Sequence, residues 1–119
     1  MRMLASPGHT PGAVSWQWES CVEQHCKTLV YADSLSPISS DQYRFSNHKE
    51  YLKAYRKGLD ELKNLRCNIL LTPHPSASKM RERLMQEAGL QGENSCIEYA
   101  QAITQRLDMR LLKEARAKE

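Results

Sequence analysis

The sequence lacks a long apolar run, a signal-peptide pattern and a strong net charge. None of its 119 residues lies in a run approaching the roughly 18 consecutive apolar residues that indicate a membrane span. The N-terminus lacks the charged-then-apolar pattern of a signal peptide, so if the protein is secreted we expect its signal in a part that this sequence does not include. The net charge is only +3, and the densest basic stretch, residues 49–63, is interleaved with acidic residues. We therefore expect neither a membrane nor a nucleic acid as a partner.

The composition is that of an ordinary globular protein. Hydrophobic residues make up 40% of the chain and charged residues 26%, which favours a packed core over disorder. The chain has no internal repeat and no low-complexity tract. Its length suits one domain with a modest core and is too short for two, so we predict a single domain over residues 1–119.

Hydrophobic alternation predicts two strands early in the chain. Residues 13–19 place Val14, Trp16 and Trp18 on one face and polar side chains on the other, the pattern of a half-buried strand. Residues 27–33 are also rich in strand-forming types. The polar link over residues 20–24 is too short for a helix, so we predict a hairpin or an adjacent antiparallel pair.

Helical spacing dominates the rest of the chain. Apolar residues recur at this spacing over residues 47–66, with Asn47 as a plausible N-cap. A short apolar run at residues 67–71 follows directly and indicates a buried strand. Two more helices are predicted, over residues 77–88 and 95–118. This order predicts an α/β (α+β) layer in which helices cover one face of a small sheet and leave the other face for a partner.

Two histidines lie beside prolines at predicted strand boundaries. His9 belongs to the segment GHTPG, in which Pro11 and Gly12 favour a tight turn before the first strand. His74 lies between two prolines in TPHP, after the predicted strand at residues 67–71. Stiffly held imidazoles suit metal ligation because they lose little entropy on binding. Turn histidines without a metal are an equally good interpretation of the residues alone, since the two form no recognisable zinc spacing.

Several short segments, in a fixed order, carry a family resemblance. GHTPG followed by SW, then YADSLSP, then LLTPHP, closely resemble the C-terminal half of metallo-β-lactamases of the third subclass, whose zinc ligands are histidines and an aspartate. The resemblance runs from about Ser6 to the C-terminus. It implies half of an αββα sandwich, Zn²⁺ as cofactor, and hydrolysis of β-lactams, the chemistry behind antibiotic resistance.

The resemblance also implies roles for particular residues. His9 matches the histidine that completes the three-histidine zinc site, and His74 matches the histidine of the second zinc site. Ser34 falls where other subclasses have a metal ligand, and with Ser36 it resembles the hydroxyls that bind the carboxylate of the β-lactam substrate. A purely local role of the two serines in a turn is the alternative. We expect Asp33 to accept hydrogen bonds from nearby backbone donors and not to bind metal.

One motif of the family is missing from the sequence. Family members carry His-x-His-x-Asp-His in their N-terminal half, whereas this chain has only His9, His25, His48 and His74, of which His25 and His48 look like surface residues. A catalytic zinc normally has three protein ligands and an open position for water, so we expect little or no activity from the chain alone. Three hypotheses remain: half of a hydrolase that needs the missing N-terminal half, a non-catalytic, metal-binding half-domain that associates with a second copy of itself, or a different hydrolase of the same superfamily. Ser34 argues against the third, because many of those hydrolases have a bridging aspartate at this position.

The four cysteines leave three interpretations open from the residues alone: disulfides, free thiols or a structural zinc site. Their even number suits an oxidising compartment. The resemblance implies disulfides that join Cys21 to Cys26 and Cys67 to Cys96, and it implies a periplasmic or secreted enzyme.

Overall fold

A computed structural model describes residues 1–8, 12–35, 37, 43–73, 78–86, 89–92 and 94–117. Its strands are β1 (Arg2–Ala5), β2 (Val14–Val22), β3 (His25–Tyr31) and β4 (Ile69–Leu71). Its helices are α1 (Lys49–Lys63), α2 (Met80–Leu84) and α3 (Ser95–Ala117), and a 3-10 turn at Phe45–Asn47 precedes α1. None of the described helices is both long enough and apolar enough to cross a membrane.

The strands form one sheet in the order β1-β2-β3-β4. The pairs β1–β2 and β2–β3 are antiparallel, whereas β3–β4 is parallel, and α1 lies in the crossover that a parallel pair requires. The predicted hairpin is confirmed: Glu23 and Gln24 join β2 to β3, and Glu23 has a φ of 58°, as such tight turns favour. Beyond β4, the backbone at Gln91 forms a bridge with Ile69 and covers that edge.

One face of the sheet packs against the helices, as the sequence predicts. Val30 and Leu70 point to this face and are almost completely buried, with 0% and 1% of their surface exposed. They share a single core cluster with residues of both long helices: Tyr55, Leu59 and Leu62 of α1, and Tyr99, Ile103 and Leu107 of α3. The α+β layer with helices on one face is therefore confirmed.

The opposite face carries large apolar side chains and no covering element among the described residues. The strand register aligns Met3, Trp16, Tyr31 and Leu71 in one row across all four strands. Val14 and Trp18 point to the same face, because side chains alternate along a strand. Leu29, which pairs with Trp18, and Ile69, which pairs with Leu29, also point to this face. We call these eight residues the open face. The sequence correctly groups Val14, Trp16 and Trp18, and the structure shows that their face is the one without helices.

The start of α1 and the length of α2 differ from the sequence predictions. Asn47 is not the N-cap: α1 begins at Lys49 after His48, and no side-chain cap hydrogen bond is formed there. The backbone donors of the preceding turn instead reach a distant carboxylate, that of Glu114. The helix predicted over residues 77–88 is shorter, Met80–Leu84, because Lys79 has a φ of 56° and interrupts the helix before it; residues 77, 87 and 88 lie outside the described residues.

Both disulfides join the cysteines in the pairs that the resemblance implies. Cys21 and Cys26 are opposite each other near the tip of the β2–β3 hairpin. Cys67 and Cys96 are buried and join the segment before β4 to the first turn of α3. Because no cysteine is free, the free-thiol and structural-zinc interpretations do not hold. Two disulfides are compatible with an oxidising compartment.

Candidate metal and substrate site at one rim of the sheet

Three strands end at one rim of the sheet, where β2 begins. The register pairs Ala5, at the end of β1, with Val14, at the start of β2. It also pairs Tyr31, at the end of β3, with Leu71, at the end of β4. The backbone N–H of Ala32 donates to the carbonyl of Leu71 at 2.9 Å and continues this alignment past the strands. The segments that leave β1, β3 and β4 therefore start side by side.

These three segments carry the site residues predicted from the sequence. We call them link 1 (residues 6–13, with His9), link 2 (residues 32–37, with Ser34 and Ser36) and link 3 (residues 72–79, with His74). His9, Ser36 and His74 lie outside the described residues, so their roles stay predictions. Ser34 is half-buried, and its role with substrate also stays a prediction.

Links 1 and 2 are in direct contact at their described residues. Gly8, which precedes His9, is buried against Leu35, which lies between Ser34 and Ser36. A Cβ added to Gly8 would be 2.9 Å from Leu35 Cδ2 and 3.2 Å from Tyr55 Cε1. A glycine is therefore needed here for steric reasons, and its absence of a side chain lets the two links approach.

Two tyrosines of α1 bind the backbone of these two links. The hydroxyl of Tyr51 donates to the carbonyl of Gly8 at 2.5 Å, and the hydroxyl of Tyr55 donates to the carbonyl of Leu35. Burial raises the pKa of both hydroxyls, so they remain protonated donors at neutral pH. In the sequence, Tyr55 is one of the apolar residues that recur at helical spacing over residues 47–66, and the one available signal for its contact is the presence of two tyrosines four residues apart.

Link 2 is held by polar contacts as well. The Asp33 carboxylate accepts a hydrogen bond from the Ser34 N–H at 2.7 Å, as expected for an acceptor of backbone donors. The Asp33 N–H donates to the Ser15 hydroxyl at 3.2 Å, and that hydroxyl is 2.8 Å from the hydroxyl of Ser6 in link 1. Buried hydroxyls under the rim thus connect the start of link 1 to link 2 through β2.

The two described ends of link 3 are tied together. The hydroxyl of Thr72 lies 2.8 Å from that of Ser78. Arg83 of α2 donates to the carbonyl of Ser78 and to the carbonyl of Leu70 in β4, each at 2.9 Å. Thr72 and Ser78, which lie on either side of His74 in the sequence, are therefore neighbours in the structure.

The described residues do not form a metal site by themselves. Among them, one group of three acidic, thiol or imidazole side chains has its ligand atoms within 4.8 Å of one another, namely Glu19, Cys21 and Cys26. Its sulfur atoms are bonded to each other, and it lies toward the hairpin tip. Of the predicted donors, His9 and His74 have zinc-type chemistry but are fewer than the three that a catalytic zinc requires. His25 and His48 are exposed, as predicted.

Several solved structures share this fold over almost the entire chain. A metallo-β-lactamase named MIM-1, from Novosphingobium pentaromativorans, is 41% identical with a TM-score of 0.89, and the match covers 98% of this chain and 43% of that one. The metallo-β-lactamase MIM-2 is 56% identical with a TM-score of 0.87, covering 94% and 41%. MEM-A1, a subclass B3 metallo-β-lactamase from a soil metagenome library, is 30% identical with a TM-score of 0.84, covering 98% and 47%. No family model matches the sequence.

The chain is therefore similar, in fold and in sequence, to the C-terminal half of metallo-β-lactamases. A subclass B3 enzyme is among these structures, which confirms the resemblance inferred from the motifs. The chain spans less than half the length of each of the three enzymes.

Proposed function

We propose that this chain forms the C-terminal half of a zinc-dependent β-lactam hydrolase and is catalytic only together with an N-terminal half. The observation that carries the proposal is the convergence of links 1, 2 and 3 at one rim of the sheet. The sequence has no His-x-His-x-Asp-His motif, so a partner must supply the remaining zinc ligands. Alone, the chain has little or no β-lactamase activity.

Each link contributes one part of the chemistry. His9 and His74 would each hold a zinc ion, one at each of two sites completed by the other half. Zinc, when bound, polarises the lactam carbonyl and lowers the pKa of a water. The hydroxyls of Ser34 and Ser36 donate hydrogen bonds to the carboxylate of the β-lactam and orient it, while the contacts of Asp33 hold the backbone of link 2.

The open face is where the N-terminal half would pack. A sheet with helices on one face needs a second layer on the other, and contiguous apolar surface of this kind is typical of an interface. The open face and the rim share Tyr31 and Leu71, so a half that covers this face brings its own ligands to the same rim. In the cell we place the enzyme in the periplasm or outside, in keeping with its two disulfides.

The test is complementation between halves. The chain would be purified alone and co-expressed with the N-terminal half of MIM-2, and nitrocefin hydrolysis measured with added zinc. We expect no turnover from the chain alone, turnover from the purified complex, and loss of turnover with His74→Ala. Turnover by the isolated chain near that of a whole enzyme, or a stable complex that binds zinc without hydrolysis, would contradict the proposal.

A second candidate function is a self-associating, metal-binding half-domain without turnover. The open face favours it, because two identical copies could cover each other's apolar rows in an isologous dimer. His9 and His74 of both copies would then offer four imidazoles to zinc and leave no open position for water. Sedimentation with metal quantification distinguishes the two candidates: a zinc-loaded dimer that is lost with His74→Ala supports this one, and a zinc-free monomer rules it out.

A further inference from the structure

The outer side of α3 carries exposed apolar and basic side chains together near the end of the helix. Met109 and Leu112 are 69% and 52% exposed, and Arg106, Lys113 and Arg116 are exposed around them. These five residues recur at spacings of three and four positions, which places them on one side of the helix. We call them the basic patch.

The basic patch points away from the rest of the protein. Ile103 and Leu107, on the inner side of α3, are buried in the core cluster. The acidic residues of the same stretch are elsewhere: Asp108 pairs with Arg56 of α1, and Glu114 is buried and bound to the 3-10 turn. The described residues on the outer side of this stretch are therefore basic, apolar or uncharged.

The sequence as a whole gives little indication of this patch. We expect no membrane partner from a chain with no long apolar run and a net charge of only +3. A helix that lies on a membrane surface needs neither feature, because a local face with apolar residues among lysines and arginines is sufficient. Cations near a helix C-terminus also complement the helix dipole, but that role does not account for the exposed Met109 and Leu112.

The chemistry of the basic patch restricts what can cover it. A second copy would bring like charges together, which is unfavourable. An N-terminal half on the open face would leave the patch exposed, because α3 packs on the other face of the sheet. An acidic protein surface would match the cations but not Met109 and Leu112. A bilayer with anionic lipids accepts both kinds of side chain, because its headgroups attract the cations and its interface takes up apolar groups.

We infer that the basic patch binds the surface of a bilayer that contains anionic phospholipid, with Met109 and Leu112 inserted among the headgroups. Salt screens the attraction of cations to such a surface, so the contact is reversible and weakens as ionic strength rises. The contact needs neither zinc nor the N-terminal half, and it is therefore independent of the proposed function.

The first test measures co-sedimentation of the purified chain with vesicles of phosphatidylcholine, alone or mixed with an equal part of phosphatidylglycerol. We expect binding to the mixed vesicles only, weakened at least about tenfold by Arg116→Glu. Lys27→Glu makes the same change of net charge on an exposed residue of β3, far from the patch, and should weaken binding less than about threefold because distant charges are screened. Equal losses with the two variants would show that net charge alone controls binding and would overturn the inference.

The second test concerns the apolar residues. Leu112→Ser should weaken binding to the mixed vesicles about fivefold, whereas Val22→Ser, on a residue that is 75% exposed near the hairpin tip, should leave it unchanged. Binding that is lost with Trp16→Lys but kept with Arg116→Glu and Leu112→Ser would assign the contact to the open face and contradict the inference. Binding to polyglutamate without binding to mixed vesicles would also contradict it, and would indicate an acidic protein as the partner.

Discussion

The carboxylate of Glu114, near the end of α3, accepts a hydrogen bond at 3.0 Å from the backbone N–H of Phe45, 69 residues earlier in the chain. The same carboxylate accepts from the N–H and the hydroxyl of Ser46, at 3.0 and 2.8 Å, and from Arg110 at 3.2 Å. Glu114 therefore satisfies the backbone donors at the start of the 3-10 turn that precedes α1. It joins the end of α3 to that turn.

Glu114 should make stability depend on pH in the acid range. Burial by itself would raise the pKa of Glu114, but the hydrogen bonds from Ser46, Phe45 and Arg110 together hold it below its ordinary value of 4.5. Because the folded pKa is the lower one, this stabilisation is present above pH 4.5 and is lost as pH falls through the folded pKa. We expect Glu114→Gln to cost about 2 kcal/mol at neutral pH and to remove that acid dependence.

Urea unfolding at a series of pH values measures this effect. Asp108→Asn is the control, because the ion pair of Asp108 with Arg56 is exposed and should contribute no more than about 1 kcal/mol. If the free energy of unfolding falls with pH in the same way for Glu114→Gln as for the unchanged protein, this carboxylate does not contribute to acid stability.

The contact between links 1 and 2 predicts a difference between two glycines that flank His9. Gly8→Ala introduces a Cβ 2.9 Å from Leu35 Cδ2, whereas Gly12→Ala meets nothing within 4 Å. Overpacking of this kind costs about 1–3 kcal/mol, so Gly8→Ala should lower the free energy of unfolding by that amount and Gly12→Ala should leave it nearly unchanged. Denaturant titration decides, and equal effects would mean that the links are not in close contact.

The two disulfides should differ in their contribution to stability. The Cys67–Cys96 bond spans 29 residues and the Cys21–Cys26 bond spans 5, so loop-closure entropy predicts about 3.5 and about 2 kcal/mol. Replacing Cys67 and Cys96 by serine also buries two polar groups, which widens the difference. Melting temperatures of the two double-serine variants would measure it, and a larger loss for the exposed hairpin pair would contradict the entropic account.

The open face should control association of the isolated chain. We expect self-association at micromolar concentration, and Trp16→Lys should prevent it by placing a charge in the middle of the apolar row. Met109→Lys is the matched control, because Met109 is 69% exposed on α3, away from the sheet. Sedimentation velocity measures both variants; association that survives Trp16→Lys but not Met109→Lys would assign the interface to the helix.

Most of the fold could be predicted because its elements have strong local patterns. The alternation in β2 and the helical spacing in α1 are set by residues close in sequence. By contrast, β1 was missed: it has four residues, only Leu4 of them is buried, and its strand conformation depends on pairing with β2. The start of α1 was misplaced because a separate 3-10 turn, Phe45–Asn47, precedes it. The backbone donors of that turn are bound by Glu114, an interaction that no local pattern reveals.

The candidate site could be predicted only where side-chain identity carries the chemistry. His9, His74, Ser34 and Ser36 are predicted as site residues because their residue types stand in recognisable motifs. The tyrosine contacts could not be found in this way, since their partners are backbone carbonyls and every residue has one. Only the fold reveals that Tyr55 reaches Leu35, 20 residues earlier in the chain.

The edges of the sheet govern what kind of aggregate this chain can form. The outer edge of β4 is bridged at Gln91, and the N–H of Gly92 donates to the carbonyl of Asn68 at 2.8 Å, so that edge is closed to another strand. The edge that is left, β1, offers four residues, too few for a strong template of strand addition. Growth by edge pairing has no natural end, whereas contact through the open face is complete after two copies. At high concentration the chain should therefore form discrete particles in preference to fibrils.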